Sequence, residues 1–228
     1  MAIEKRQTLG EVTGTLGDIV RRKRYGKIVV SRRPSRYRKS KSKKAVDGRN
    51  SFALSVAFAK AVNKIPQLKQ VWQLAKLEGV VAYNRVIKYN KLFIQDNTLT
   101  LKNIITPKGI YLLLTEFNVQ DNHLTLKIDL KENDLKQLLN IPFYLHIIFY
   151  LSDPVNSIDN PFVVSGQSYK VEKEPEDIFY DLDIAMDNIN QQYLSLYKNG
   201  IVYIAATNFK GSKKEIFWTN TVAKQFEI

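Results

Sequence analysis

At 228 residues, with 44% hydrophobic and 25% charged side chains, the chain has an ordinary globular composition and length for one large domain or two small ones. It has no cysteine, which excludes disulfides, thiolate nucleophiles, Cys-ligated zinc and Cys-held iron–sulfur clusters together. The net charge of +13 sits in one segment: residues 21–44 hold 13 Lys/Arg and no Asp/Glu, and the other 204 residues hold 22 of each sign.

The chain opens with Gly10, Gly14 and Gly17, a spacing that predicts turns. Asp18 follows Gly17 where a phosphate loop would need Lys-Ser/Thr, so no nucleotide site is read there. The first residues lack the apolar stretch of a secretory signal, and no run of about 18 apolar residues occurs anywhere. The expectation is a protein of the cytoplasm or of a virion, with no membrane partner.

Two β-prone runs, 18–24 and 27–33, flank Tyr25-Gly26 and predict a β-hairpin with Gly at positive φ. Ile28 and Val29 fall on opposite faces, so both faces are expected to meet partners. After Pro34, residues 35–44 are of low complexity and predicted to be extended or disordered until an anion orders them. Residues 1–46 thus form a lead and a basic arm.

From Asp47 the apolar spacing becomes helical, with Phe52, Val56 and Ala59 on one stripe and Leu54, Phe58 and Val62 on the next. A second helix is predicted from Pro66 through Val71, Trp72, Leu74 and Ala75, broken at Glu78-Gly79 before residues 81–94. Residues 47–94 therefore form a helical segment whose aromatic and aliphatic positions are explained by packing.

Beyond Asp96 the period shortens to two. Strands are predicted at 98–105, 111–117, 123–129, 143–150, 162–171, 178–184, 200–207 and 215–224, with a short helix at 133–139. The last two strands are expected to pair as a hairpin. The chain is thus read as α+β: a basic hairpin arm, two or three helices, and residues 95–228 as an antiparallel β-sandwich, the immunoglobulin-like form being one candidate.

Polyanion binding is the chemistry this pattern supports best. The candidate phosphate contacts are Arg21, Arg22, Lys23, Arg24, Lys27, Arg32, Arg33, Arg36, Arg38, Lys39, Lys41, Lys43 and Lys44. Arginine adds two-pronged phosphate geometry, and Tyr25 and Tyr37 are candidates for stacking on exposed bases. Arginine ends at Arg85, and from residue 93 onward 12 Lys stand against 17 Asp/Glu. Among these carboxylates Glu172, Glu174, Glu176, Asp177, Asp181 and Asp183, with Asp187 beyond them, form an acidic run. It lacks the glycine-centred calcium-loop pattern and reads as a solvated edge, or as a dock for the basic arm of a neighbouring copy. His123 and His146 are the only histidines, each in a strand-like run with a packing or surface role. With no His-Glu-x-x-His and no Gly-x-Ser-x-Gly, the expectation is a protein without catalytic residues, metal or cofactor.

The segments Gly14-Thr-Leu-Gly-Asp-Ile-Val20, Tyr25-Gly-Lys-Ile-Val-Val-Ser-Arg-Arg-Pro34 and Phe52-Ala-Leu-Ser-Val-Ala-Phe-Ala-Lys60 resemble the start of an uncharacterised bacterial family. The resemblance implies a Gly-rich lead, a basic hairpin ending in Arg-x-Pro and a helix ahead of a β-sandwich. It carries architecture and no mechanism. The expected function is a non-enzymatic, nucleic-acid-associated structural protein; the alternative is a self-assembling virion or filament subunit whose arm docks on the next copy.

Overall fold

The computed structural model describes residues 2–3, 13–33, 39–75, 77–79, 81–120, 122–131, 133–139, 142–156, 160–172, 175, 179–210 and 215–227. The fold is α+β with antiparallel sheets, and the chain divides into two compact units, Met1–Ala45 and Val46–Ile228.

The first unit is a four-stranded sheet of short strands, β1 (Ala2–Ile3), β2 (Gly14–Leu16), β3 (Ile19–Arg24) and β4 (Lys27–Arg32), in the order β1-β4-β3-β2. Gly17 at φ 56° turns the chain between β2 and β3, and the Arg33 amide donates to the Asp18 carbonyl at 2.6 Å across the foot of the hairpin.

Helix α1 (Lys43–Lys64) starts four residues earlier than its apolar spacing predicts, so Lys43 and Lys44 are helical rather than extended. Its first three residues fall in the first unit. Leu54, Phe58 and Val62, one stripe at i, i+4 and i+8, are fully buried, whereas Phe52 is half exposed. Pro66 opens α2 (Pro66–Leu74), where its missing N–H costs nothing, and α3 (Ala82–Asn90) follows the break at Gly79.

The second unit then adds β5 (Leu114–Gln120), β6 (His123–Asp129), α4 (Asn133–Leu138), β7 (Phe143–Pro154), β8 (Phe162–Val171), β9 (Phe179–Ala185), α5 (Asn188–Leu194), β10 (Tyr197–Lys210), β11 (Glu215–Trp218) and β12 (Val222–Glu227). One sheet runs β8-β7-β10, with β11 and β12 sharing the far side of β10; the other runs β5-β6-β9.

Three layers result. Phe143, Leu145, Ile147, Phe149 and Leu151 of β7 bury one face of the larger sheet in a core with Leu124, Leu126, Ile128, Leu182 and Ile184 of the smaller one. Ile148 and Tyr150, pointing the other way, share a second core with Leu54, Phe58, Val62, Leu68 and Trp72 of the helices. A strand covered on both faces needs a near-continuous apolar run, which is what Phe143-Tyr-Leu-His-Ile-Ile-Phe-Tyr-Leu151 supplies. In β8, a Cβ on Gly166 would stand 2.3 Å from Ile148 Cδ1, so a larger residue there would require that buried side chain to move.

Three elements differ from their predicted form. Residues 98–105 alternate like a strand but form turns, because Asn90 and Asn103 take over the backbone there. Asn90 Nδ2 donates to the Ile104 carbonyl (2.9 Å), its Oδ1 accepts from the Ile104 amide (2.7 Å), and Asn103 Oδ1 accepts from the Thr100 amide (2.8 Å). The predicted 215–224 strand is split at 219–221, where Thr219 and Thr221 bond through their hydroxyls to Ala206, Ile105 and Thr106. Helix α5 falls where no element is predicted; Asp187 caps it, its carboxylate accepting from the Asn190 amide at 2.8 Å.

Candidate nucleic-acid interface

The two-residue turn Tyr25-Gly26 sets the register of the hairpin. Both residues have positive φ (52° and 75°), the conformation that matches the twist of paired strands. Arg24 is thereby placed directly opposite Lys27, Arg22 opposite Val29 and Val20 opposite Ser31. Because side chains alternate, Arg22, Arg24 and Lys27 share one face, all three exposed. Directly opposed side chains stand about 5 Å apart at Cβ, so Arg24 and Lys27 are like charges held in contact range.

The opposite face carries Arg21 and Lys23 with Ile28, Val30 and Arg32. Arg21 is only 6% exposed and Ile28 5%, so Arg21 is not displayed with the other arginines. Arg32 pairs with Asp18 at 3.6 Å; both side chains are well exposed, and such a pair adds little stability. Lys23, Arg33, Lys39, Lys41, Lys43 and Lys44 are exposed. The last two lie in the first turn of α1, which holds no acidic residue, so they oppose the helix dipole at the end where an anion is favoured. Arg36, Tyr37 and Arg38 lie outside the described residues. Tyr25 is 65% exposed at the hairpin tip.

The described part of the acidic run is mixed with cations. Asp181 and Asp183 lie on the outward face of β9, opposite Lys127 and Thr125 of β6. Asp183 Oδ1 lies 2.7 Å from His123 Nδ1, and Lys127 sits 4.1 Å from the centre of the Phe179 ring and 3.5 Å from Glu116. Glu172 pairs with Lys170. Glu174, Glu176 and Asp177 lie outside the described residues.

His146 is fully buried in β7. Its Nδ1 is 2.7 Å from the Ser168 hydroxyl and its Nε2 2.8 Å from the Thr207 hydroxyl, and burial pushes its pKa down to about 3. It is a neutral ring wired into the sheet. Ser168 and Thr207 come from strands on either side, and nothing in the spacing of the sequence joins them to His146.

Among the described residues there is no group of three or more His, Asp and Glu that would hold a metal, and no helix long and apolar enough to cross a membrane. No family model matches this chain, and no curated protein matches its sequence.

Proposed function

We propose that this is a non-enzymatic, nucleic-acid-associated structural protein of the cytoplasm or of a virion, in which the hairpin and residues 34–44 act as a basic arm that holds phosphates. The observation that carries the reading is the hairpin tip. Arg22, Arg24 and Lys27 share a face, and Arg24 stands opposite Lys27 beside an exposed Tyr25 at φ 52°. A directly opposed like-charge pair is destabilising by several tenths of a kcal/mol, and a bulky residue in the left-handed region costs about 1 kcal/mol more. A phosphate between the cations offsets the first, and a base stacked on the ring gives the second a use.

In this reading the body is an immunoglobulin-like β-sandwich that serves assembly or partner binding. In support, β5-β6-β9 and β8-β7-β10-β12 follow the A-B-E and C-F-G order of that fold, with the fourth strand beside the third instead of in the first sheet. The likeness of residues 14–60 to an uncharacterised bacterial family belongs to the same proposal and concerns architecture alone. Docking of the arm on a neighbour's acidic run has less support, because Asp183, Asp181 and Glu172 already face His123, Lys127 and Lys170 of their own chain.

Tyr25→Asn tests the tip. Asparagine accepts positive φ, so the stability of the variant is expected to match or exceed that of the parent. Its affinity for short labelled single strands, read by fluorescence anisotropy, is expected to fall roughly five- to hundred-fold through loss of one stacked base. Unchanged affinity would remove Tyr25 from the interface.

A further inference from the structure

The body is itself electrically divided along the chain. Residues 46–108, which include α2, α3 and nearly all of α1, hold 10 Lys/Arg against 3 Asp/Glu, whereas residues 109–228 hold 10 against 16. The helices cover one face of the larger sheet and β5-β6-β9 the other. Cations are therefore gathered in the helical segment, and among the described carboxylates Glu116, Asp129, Asp181 and Asp183 belong to the sheet on the other side of the core.

Two of those cations have structural partners: Arg85 closes the end of α2, and Lys88 pairs with Glu78. Arg49, Lys60, Lys64, Lys69, Lys91 and Lys102 are exposed. Among the described residues, Lys60, Lys64, Lys69, Lys91 and Lys102 form no ion pair. At 100° per residue, Arg49, Lys60 and Lys64 fall within about 60° of one another on α1, on the side away from Leu54, Phe58 and Val62. Lys60 and Lys64 are also i, i+4 like charges, an arrangement that weakens a helix by a few tenths of a kcal/mol. A solvated helix surface ordinarily mixes Lys with Glu at such spacings; this one does not.

We infer that the outer surface of the helical layer is a second phosphate-contact face, for the backbone of the same nucleic acid. The inference rests on the proposed ligand class and not on the hairpin's part in holding it. Lysines without acidic neighbours make the sequence-independent, salt-sensitive contacts that a phosphate chain requires.

The test uses the full chain, a helix-face variant (Lys60→Gln, Lys64→Gln, Lys69→Gln) and a hairpin variant (Arg22→Gln, Arg24→Gln, Lys27→Gln). Binding to labelled duplex DNA and single-stranded RNA is followed across a salt series, with circular dichroism to confirm folding and light scattering alongside. The helix-face variant is expected to lose about 2.7 from the slope of log K against log salt on duplex and about 2 on single strands. An unchanged slope overturns the inference even if the hairpin variant has lost binding. If the hairpin variant binds like the parent while the helix-face variant does not, the inference stands and the hairpin reading falls. Salt-sensitive self-association without nucleic acid, lost in the helix-face variant, would show that the face docks on another copy and would also overturn it.

Discussion

Replacing Arg85 with methionine is expected to lower the unfolding free energy by about 3 kcal/mol, with lysine at the same position recovering only part of the loss. Helix α2 has no basic residue in its last turn, and its final carbonyls lack intrahelical partners. Arg85, reaching over from α3, meets them: Nη1 lies 2.7, 2.8 and 3.1 Å from the carbonyls of Trp72, Gln73 and Ala75, and Nε donates to Gly79 at 3.0 Å. A Cβ at Gly79 would stand 2.8 Å from Arg85 Cγ, so the glycine leaves the guanidinium its path. A charge-assisted bond contributes about 1.5–3 kcal/mol, and the partial exposure of the group keeps the total well below the sum. Urea denaturation measures it; a loss under about 0.5 kcal/mol would mean that water closes the helix equally well.

The second large effect is on acid stability, through His146. Its pKa is pushed down to about 3 in the folded chain by burial, against about 6.5 when unfolded. Above pH 6.5 the ring is neutral in both states and its contribution is complete. As pH falls from 6.5 toward 3 the unfolded chain binds a proton that the folded chain refuses, so stability declines by about 1.4 kcal/mol per pH unit. Between pH 6.5 and 5 that amounts to about 2 kcal/mol. Glu78 and Asp129 are lowered by Lys88 and Lys131, and what they contribute is lost only as pH falls below the ordinary carboxylate range. His146→Gln keeps a donor and an acceptor for Ser168 and Thr207 and removes the titration. Its urea midpoint is expected to stay flat between pH 6.5 and 5 while that of the parent drops; parallel curves would show that another group governs the decline.

The two effects come from contacts that the linear sequence hides. Arg85 shows in composition only as the last arginine, and its service to a helix end 13 residues earlier appears once α2 and α3 lie side by side. Asn90 turned an alternating run into turns by side-chain bonds to a backbone 14 residues away, and Asn103 by one to the Thr100 amide three residues back, which no period-two pattern signals. Elsewhere local chemistry sufficed. The strict inward set Leu124, Leu126 and Ile128 placed β6 with its observed bounds, and Pro66 marked the start of α2. The hairpin was legible because a two-residue turn dictates register, and the same rule puts Arg24 opposite Lys27. That the lysine-rich helices cover one face of the larger sheet was not legible, since it depends on how the sheet packs.

Contact between the hairpin tip and phosphates, as proposed, would show in the salt dependence of binding by the full chain and by Arg22→Gln, Arg24→Gln, Lys27→Gln. The parent is expected to bind nucleic acid with a steep slope of log K against log salt, and the variant, still folded, to lose about 2.7 of that slope on duplex. Equal slopes for the two proteins, or no binding by the parent at low salt, would contradict it.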